Sequence, residues 1–388
     1  MDSTMATDRP NPLTRTGRQV RVERAFPAAA GLTTRLVELA LAGLPRMTAP
    51  DGGAAYTLRR TNGPGGPQVR AEGSSARYGW IVLLGAARLE PVAQEVLLGM
   101  SARERATLGA GVLNEGSELG ELALATWAAS EIGTDGAQVL ADLLVRRLET
   151  DRGATTVTAA WSLTALVAAG RLDDAARARD GLLDAAGPSG LFHHTVRPAT
   201  QRWHRRHVGC FADQVYPIQA LARFAAASGD ELCLARAQRC ADRICDLQGE
   251  GGQWWWHYDA RTGKVVEGFP VYSVHQASMA PMALLDLEEA GGDGHLEAVG
   301  RGLTWLTAPP ETGEAIIDEV EGVLWRKVGR REPIRKGVRA LRSASTALNP
   351  GWRLRAVDPL FPPGVVDHET RPYELGWILM TWLTNEPR

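Results

Sequence analysis

The sequence predicts an all-α protein, a single domain built from six helical hairpins. Three observations lead there. Apolar residues recur at three- and four-residue intervals through most of the chain, which is the helical period. Helix-like segments rich in small residues return roughly every 40 to 60 residues, the mark of units that bury one another's faces. The stretches between them close in related glycine-bearing turns followed by a short aromatic or β-branched piece: Gly187 to His194, Gln248 to Asp259, and Pro310 to Ile316. Nothing alternates strictly for more than a few residues, so only short β or loop pieces are expected beside the helices.

The elements follow in order. Residues 1–25 are polar, carry Arg and Pro and lack an apolar h-region, so they are expected to form a flexible leader and not a secretory signal. The hairpin domain is expected over 26–388. Its first-member helices begin near Tyr78, Leu119, Thr158, Phe211, Tyr272 and Arg371. Amphipathic partners are expected over 136–149, 175–186, 232–248 and 296–307. The last interval is longer than the others, which makes 311–370 an insertion. Between Trp325 and Arg342 it holds eight basic residues against Glu332. Three readings stand for that stretch: a solvated helix, a lid, or a weak docking patch for a polyanion or membrane surface.

In the second turn, Gln248, three residues, Gly252, one residue and Trp254 resemble the motif that closes helical repeats in α/α-toroid proteins such as squalene cyclases and protein prenyltransferases. Six hairpins with such turns are similar to the (α/α)6 toroid of terpenoid cyclases and six-hairpin glycosidases. The resemblance covers about residues 30 to 388 and implies short β or loop pieces at one mouth of a barrel. The PYELGW and SVHQASMAPMAL stretches resemble bacterial toroid proteins that accompany surface-polysaccharide genes, which tilts the expectation toward sugars.

Composition narrows the classes. A formal net charge of -2 gives no field that would favour nucleic acid. No run reaches the roughly 18 apolar residues of a membrane span. The four cysteines match neither a disulfide framework nor a zinc signature, so buried thiols and a cytoplasmic location are expected. The histidine-rich piece His193, His194, His204, His207 lacks a suitably spaced carboxylate, and no glycine-rich phosphate loop appears. No metal and no cofactor are expected.

Proline sits without cost only in a helix's first turn, so Pro217 and Pro372 mark two inner-helix starts at one mouth. Asp213, Gln214 and Tyr216 fall at the first, Arg371, Tyr373 and Glu374 at the second, and Tyr272, His275 and Gln276 begin a third. The turns add His193, His194, Trp255, Trp256, His257 and Tyr258, with Arg202, Arg205 and Arg206 expected nearby; the insertion adds Glu319, Glu321 and Trp325. Asp213 and His275 are the leading acid/base candidates, with Tyr272, His257, Glu319 and Glu374 as further catalytic candidates. Gln214, Tyr216, Trp255, Trp256, Tyr258, Gln276, Glu321, Trp325, Arg371 and Tyr373 are candidates to bind substrate. Each has a plainer reading: Asp213 and Glu374 complement helix dipoles, His275 is a satisfied core histidine, and Trp254 fills the gap between hairpins.

Three functions compete. Tryptophan faces and paired carboxylates suit a glycoside hydrolase, lyase or epimerase acting on a small sugar or oligosaccharide. A terpenoid cyclase would share the Gln248/Trp254 motif, but its Asp-rich acid motif is missing, as is the zinc site of a prenyltransferase. A non-catalytic glycan-binding toroid is the third.

Overall fold

The computed structural model of the chain describes residues 15–48, 53–63, 66–151, 153–334 and 336–384. In chain order the helices are α1 (Gly17–Ala25), α2 (Leu32–Gly43), α3 (Ala76–Ala86), α4 (Pro91–Leu98), α5 (Ala102–Ala110), α6 (Leu119–Ile132), α7 (Ala137–Thr150) and α8 (Thr156–Ala168). They continue as α9 (Leu172–Leu183), α10 (Ala212–Ser228), α11 (Glu231–Asp246), α12 (Ala280–Glu289), α13 (Leu296–Trp305), α14 (Gly337–Leu348), α15 (Val357–Leu360) and α16 (Pro372–Leu383).

Six of these close a ring. α3 packs on α6, α6 on α8, α8 on α10, α10 on α12, α12 on α16, and α16 returns to α3. Five start within two residues of where the sequence placed the first members, and the sixth, α12, is entered from Tyr272 through the π-helical turn His275–Met279. Their small residues set the spacing: a Cβ on Gly85 would stand 2.4 Å from the Gly376 carbonyl oxygen, and one on Gly376 would stand 2.9 Å from that of Ile81. The ring therefore closes backbone against backbone at α3 and α16. Outside it lie α2, α5, α7, α9, α11 and α13, each packed on one or two inner helices. α11 buries Cys233, Ala237, Cys240, Ala241 and Ile244 on one stripe, the pattern of a helix with one wet face.

The Gln248/Trp254 motif works as a clamp. Gln248 Nε2 donates to the carbonyls of Gly252 (2.8 Å) and Ala298 (2.9 Å), tying the turn after α11 to α13. Gly252 has φ +88°, and a Cβ there would meet the Arg301 carbonyl oxygen at 2.2 Å. The turn holds Trp254 fully buried, and the Trp254 N–H donates to Gln276 Oε1.

One expectation fails early. The segment from Gly17 to Ala25, expected within a flexible leader, is a helix with a Thr16/Gln19 capping box, and residues 1–14 lie outside the described set. Buried Arg18 anchors it by donating to Asp286 and Glu289. A charged side chain seated on carboxylates 268 and 271 residues away leaves no local signal in a polar N-terminal sequence.

Short strands line the mouth. Val208–Cys210 pairs antiparallel with His257–Asp259, setting Cys210 opposite His257, and that strand also pairs with Lys264–Glu267. Lys327–Arg330 lies between Val271–Tyr272 and Pro363–Asp367. The basic stretch after Trp325 is thus strand and turn until α14 begins, not a solvated helix. Four of its cations have internal carboxylates: Arg326 on Glu369 and Glu374, Lys327 on Asp367, and both Arg330 and Arg342 on Glu267 and Asp358. No helix among the described residues is long and apolar enough to cross a membrane.

Candidate active site

All six inner helices run in the same sense, so their N-terminal ends meet at one mouth, where unsatisfied backbone N–H groups favour negative charge. Below the mouth the bore is solid. Trp127 of α6 meets Trp377 of α16 at 5.6 Å, and Tyr216 of α10 meets Trp377 at 6.1 Å. Neither pair of helices is adjacent in the ring, so these contacts cross the axis.

At the start of α10, His194 Nδ1 lies 3.0 Å from Asp213 Oδ2, and that same oxygen accepts the Cys210 N–H at 2.7 Å. Asp213 is fully buried, whereas the His194 side chain is 36% exposed. The hydrogen bond and charge of Asp213 raise the His194 pKa above its ordinary 6.5. Because the carboxylate accepts from Nδ1–H, the neutral ring keeps Nε2 as its free basic nitrogen. The donor atoms of His194, Cys210 and Asp213 all lie within 4.8 Å of one another, so among the described residues these three are the group that could hold a metal. Burial and the Asp213 charge push the Cys210 thiol well up, and the Arg205 guanidinium opposes positive charge on His194. Both effects favour a proton over a dication there.

Around the rim stand aromatic and imidazole rings. His275 is sandwiched between Phe211 (4.4 Å) and Trp256 (5.8 Å, interplanar 9°), and Trp256 also meets Tyr272 at 4.6 Å. Burial, helped by Arg326, pushes His275 down to about 3, so it is a neutral ring. It sits in a single π-helical turn, His275–Met279, which leads into α12 and accommodates Pro281. His257, on the strand beside Cys210, is likewise driven well down by burial and then by Arg205, Arg339 and His194.

Trp256 and Tyr272 line a cavity of about 470 Å³ whose other walls include Arg326, Lys336, Arg339 and Arg371. Arg326 lies 5.2 Å over the Tyr272 ring. Arg371 donates to the Tyr78 hydroxyl (2.7 Å) and Glu369 (3.2 Å) and covers the Tyr56 ring at 4.4 Å. Tyr373 packs on Tyr78 at 4.8 Å. Glu374 is fully buried beneath this layer; burial, opposed by Arg326 and Arg371, pushes its carboxyl up to about 7.

The structure therefore gathers Asp213, Trp256, His257, Tyr272, His275, Arg371, Tyr373 and Glu374 around one mouth. The remaining candidates lie elsewhere or face inward. Gln214 spends its amide on the backbone of Phe192 and Cys210, and Gln276 bonds Trp254 N and Tyr272 O, so both fix loops. Tyr258 is buried against Phe211, and Tyr216 plugs the bore. Trp255 donates to the Leu247 carbonyl and packs on Phe269. Glu319 and Glu321 are drawn off by Arg35 and Arg46 beside α2, and Trp325 is buried under Arg60. A two-strand hairpin, Ile317–Asp318 with Val323–Leu324, carries both acids outward against that helix. Sequence reasoning brought His194 and Arg205 to the mouth without giving either a role, and it passed over Tyr78, Arg326 and Arg339 as site residues. Tyr78 opens the first inner helix, so position along the repeat was a usable signal; nothing marked the other two.

No family model and no curated protein sequence matches the chain. Solved structures do. An unsaturated glucuronyl hydrolase specific for heparin aligns with TM-score 0.56 at 11% identity, covering 92% of this chain and 96% of its own. A sugar epimerase from a ruminal bacterium gives 0.57 at 13%, covering 91% and 97%. The fold is an (α/α)6 toroid. An unsaturated glucuronyl hydrolase from Streptococcus agalactiae agrees, at 0.54 and 9% identity over 98% of this chain and 96% of that one. Identities this low carry the toroid and not the reaction.

Proposed function

We propose that this toroid is an acid–base enzyme acting on a sugar, with His194 as the group that exchanges a proton with substrate. The observation that supports it most is the His194–Asp213 pair: a half-exposed imidazole oriented by a buried carboxylate, at the rim of a mouth that also carries aromatic faces. Asp213, the leading candidate of the sequence, then acts through His194. It holds the tautomer and stabilises the imidazolium that forms. Trp256 and Tyr272 offer flat apolar surface to the C–H face of a sugar ring. Arg326 and Arg371 orient polar substituents, and neutral His275 and His257 serve as hydrogen-bonding groups. Solved toroids of this shape include glucuronyl hydrolases and a sugar epimerase, which supports a carbohydrate substrate. The cationic cavity wall weighs against an uncharged prenyl chain.

The test is a panel of neutral and uronate-terminated oligosaccharides followed by NMR in D2O. New reducing ends would mark hydrolysis, and deuterium at a ring carbon without cleavage would mark epimerisation. Glycan binding that persists with no conversion of any panel member, in wild type and His194→Asn alike, would make the protein a lectin-like toroid and sink this reading.

A further inference from the structure

We infer that Arg205 and Arg339 form a subsite for a tetrahedral oxyanion, the sulfate or phosphate ester of a saccharide. The saccharide carrier rests on the function proposed above; the oxyanion does not.

The argument starts from which cations lack an acid. Arg326, Lys327, Arg330, Arg342 and Arg371 each pair with a carboxylate. Among the described residues, no side-chain hydrogen bond or ion pair engages Arg205 or Arg339, although both are half-buried. The residue before Arg205 is bonded to Ser343, one helical turn beyond Arg339, so the two side chains spring from neighbouring backbone. Burial lowers the Arg205 pKa, Cys210 and Asp213 oppose that, and Arg339 lowers it again, as two like charges in a partly dry place do. That is an expensive arrangement in an empty pocket and a favourable one around an anion.

Local acids are already committed. Asp213 serves His194 and the Cys210 N–H. Glu332 accepts from the Lys336 and Val338 N–H groups at the start of α14. Glu369 and Glu374 hold Arg326.

The two arginines are also held in place. Arg205 rides on the loop before the Val208–Cys210 strand and Arg339 on the first turn of α14. The loop and helix are joined by His207 Nε2 to Thr346 Oγ1 (2.8 Å) and by Ser343 Oγ to the His204 carbonyl, while Arg261 ties the next strand to the Thr346 carbonyl at 2.8 Å. Arg339 lines the 470 Å³ cavity together with Lys336, an exposed residue, and with Trp256 and Tyr272, so its half of the subsite belongs to that cavity's wall. Two planar forks approaching from different elements match three terminal oxygens better than the two coplanar oxygens of a carboxylate. Two positive charges without an ion-pair partner among the described residues likewise match a phosphate ester, which carries about -1.5 to -2 at pH 7.

Calorimetric titration of the full chain with inorganic sulfate, and separately with inorganic phosphate, tests this against sodium chloride at equal ionic strength. We expect saturable binding of both oxyanions. Arg205→Gln or Arg339→Gln should weaken it at least about tenfold, as loss of a charged hydrogen-bond donor does, with circular dichroism unchanged. Phosphate that tightens from pH 6 to 8 while sulfate stays constant would assign a phosphate ester; equal, pH-independent binding would assign a sulfate ester. Wild-type binding no tighter than chloride, or oxyanion binding that survives the double variant, would overturn the inference. Neither result depends on turnover, so the acid–base reading stands or falls separately.

Discussion

At the far end of the bore, Arg223 of α10 reaches across to Glu131 of α6 and sideways to Asp286 of α12, which also takes Arg18 from α1 and Gln219. At the mouth, Arg326 and Arg371 sit over Glu369 and Glu374, while among the described residues no ion pair holds Arg205 or Arg339, and His194 is half open to water. The residue types are similar; the pairing differs. Carboxylates and guanidiniums at the far end satisfy one another across the axis, and burial there leaves Glu131 and Asp286 both at about 2, firmly ionised, because the arginines outweigh desolvation. The mouth leaves charge uncompensated and holds groups whose pKa values diverge, with Glu374 near 7, His275 near 3 and His194 raised. Matched pairing gives a structural plug, and mismatched pairing gives a place where a ligand completes the account of charge.

Four substitutions test that contrast. The largest effect is expected at the mouth and in turnover. Asp213→Asn should lower kcat by about 10²- to 10⁴-fold with the melting temperature nearly unchanged, since the amide can still meet the Cys210 N–H. In wild type the acidic limb of the pH–rate profile should lie above 6.5, because His194 must be neutral to accept a proton and Asp213 raises its pKa; in the variant that limb should fall back toward 6.5. A large loss of stability would instead give Asp213 a structural role.

At the far end the effect should be on stability. Asp286→Ala leaves Arg18 and Arg223 short of a buried partner and should cost about 3 to 5 kcal/mol in denaturant titration, with activity per folded molecule retained.

Glu374→Gln is smaller and depends on pH. The folded carboxyl has its pKa raised from 4.5 to about 7, so its contribution is present below 4.5 and is lost as pH rises toward 7. The variant should flatten that fall in melting temperature; an unchanged slope would show that Arg326 keeps the carboxylate ionised. The smallest change in stability is expected from His194→Asn, whose loss of turnover should at least match that of Asp213→Asn. His194, also raised, adds stability below 6.5 that fades as pH climbs through its folded value, and the variant should lack that shallow dependence.

The ring was legible because its signal is local. Small and apolar residues at helical spacing fix each inner helix from within a dozen positions, as in TVTAAWSLTALVA of α8. Gln248 and Trp254 lie six positions apart, so their clamp is visible in the sequence itself. The site was legible only in part, because its pairings are remote. Tyr78 meets Arg371 across 293 positions, and nothing near either residue announces the other. Asp213 and His194 are closer, yet the imidazole sits on a loop whose path the helical period does not encode. The basic stretch misled for the same reason: its balancing acids, Glu267, Asp358, Asp367 and Glu369, come from other segments.

The crossing indoles and the guanidinium–carboxylate plug make the barrel a cup with a floor, not a tube. A polymer cannot thread through a cup. Under the function proposed above, a long chain would meet the rim by its end, which favours trimming at a terminus over cuts in the middle.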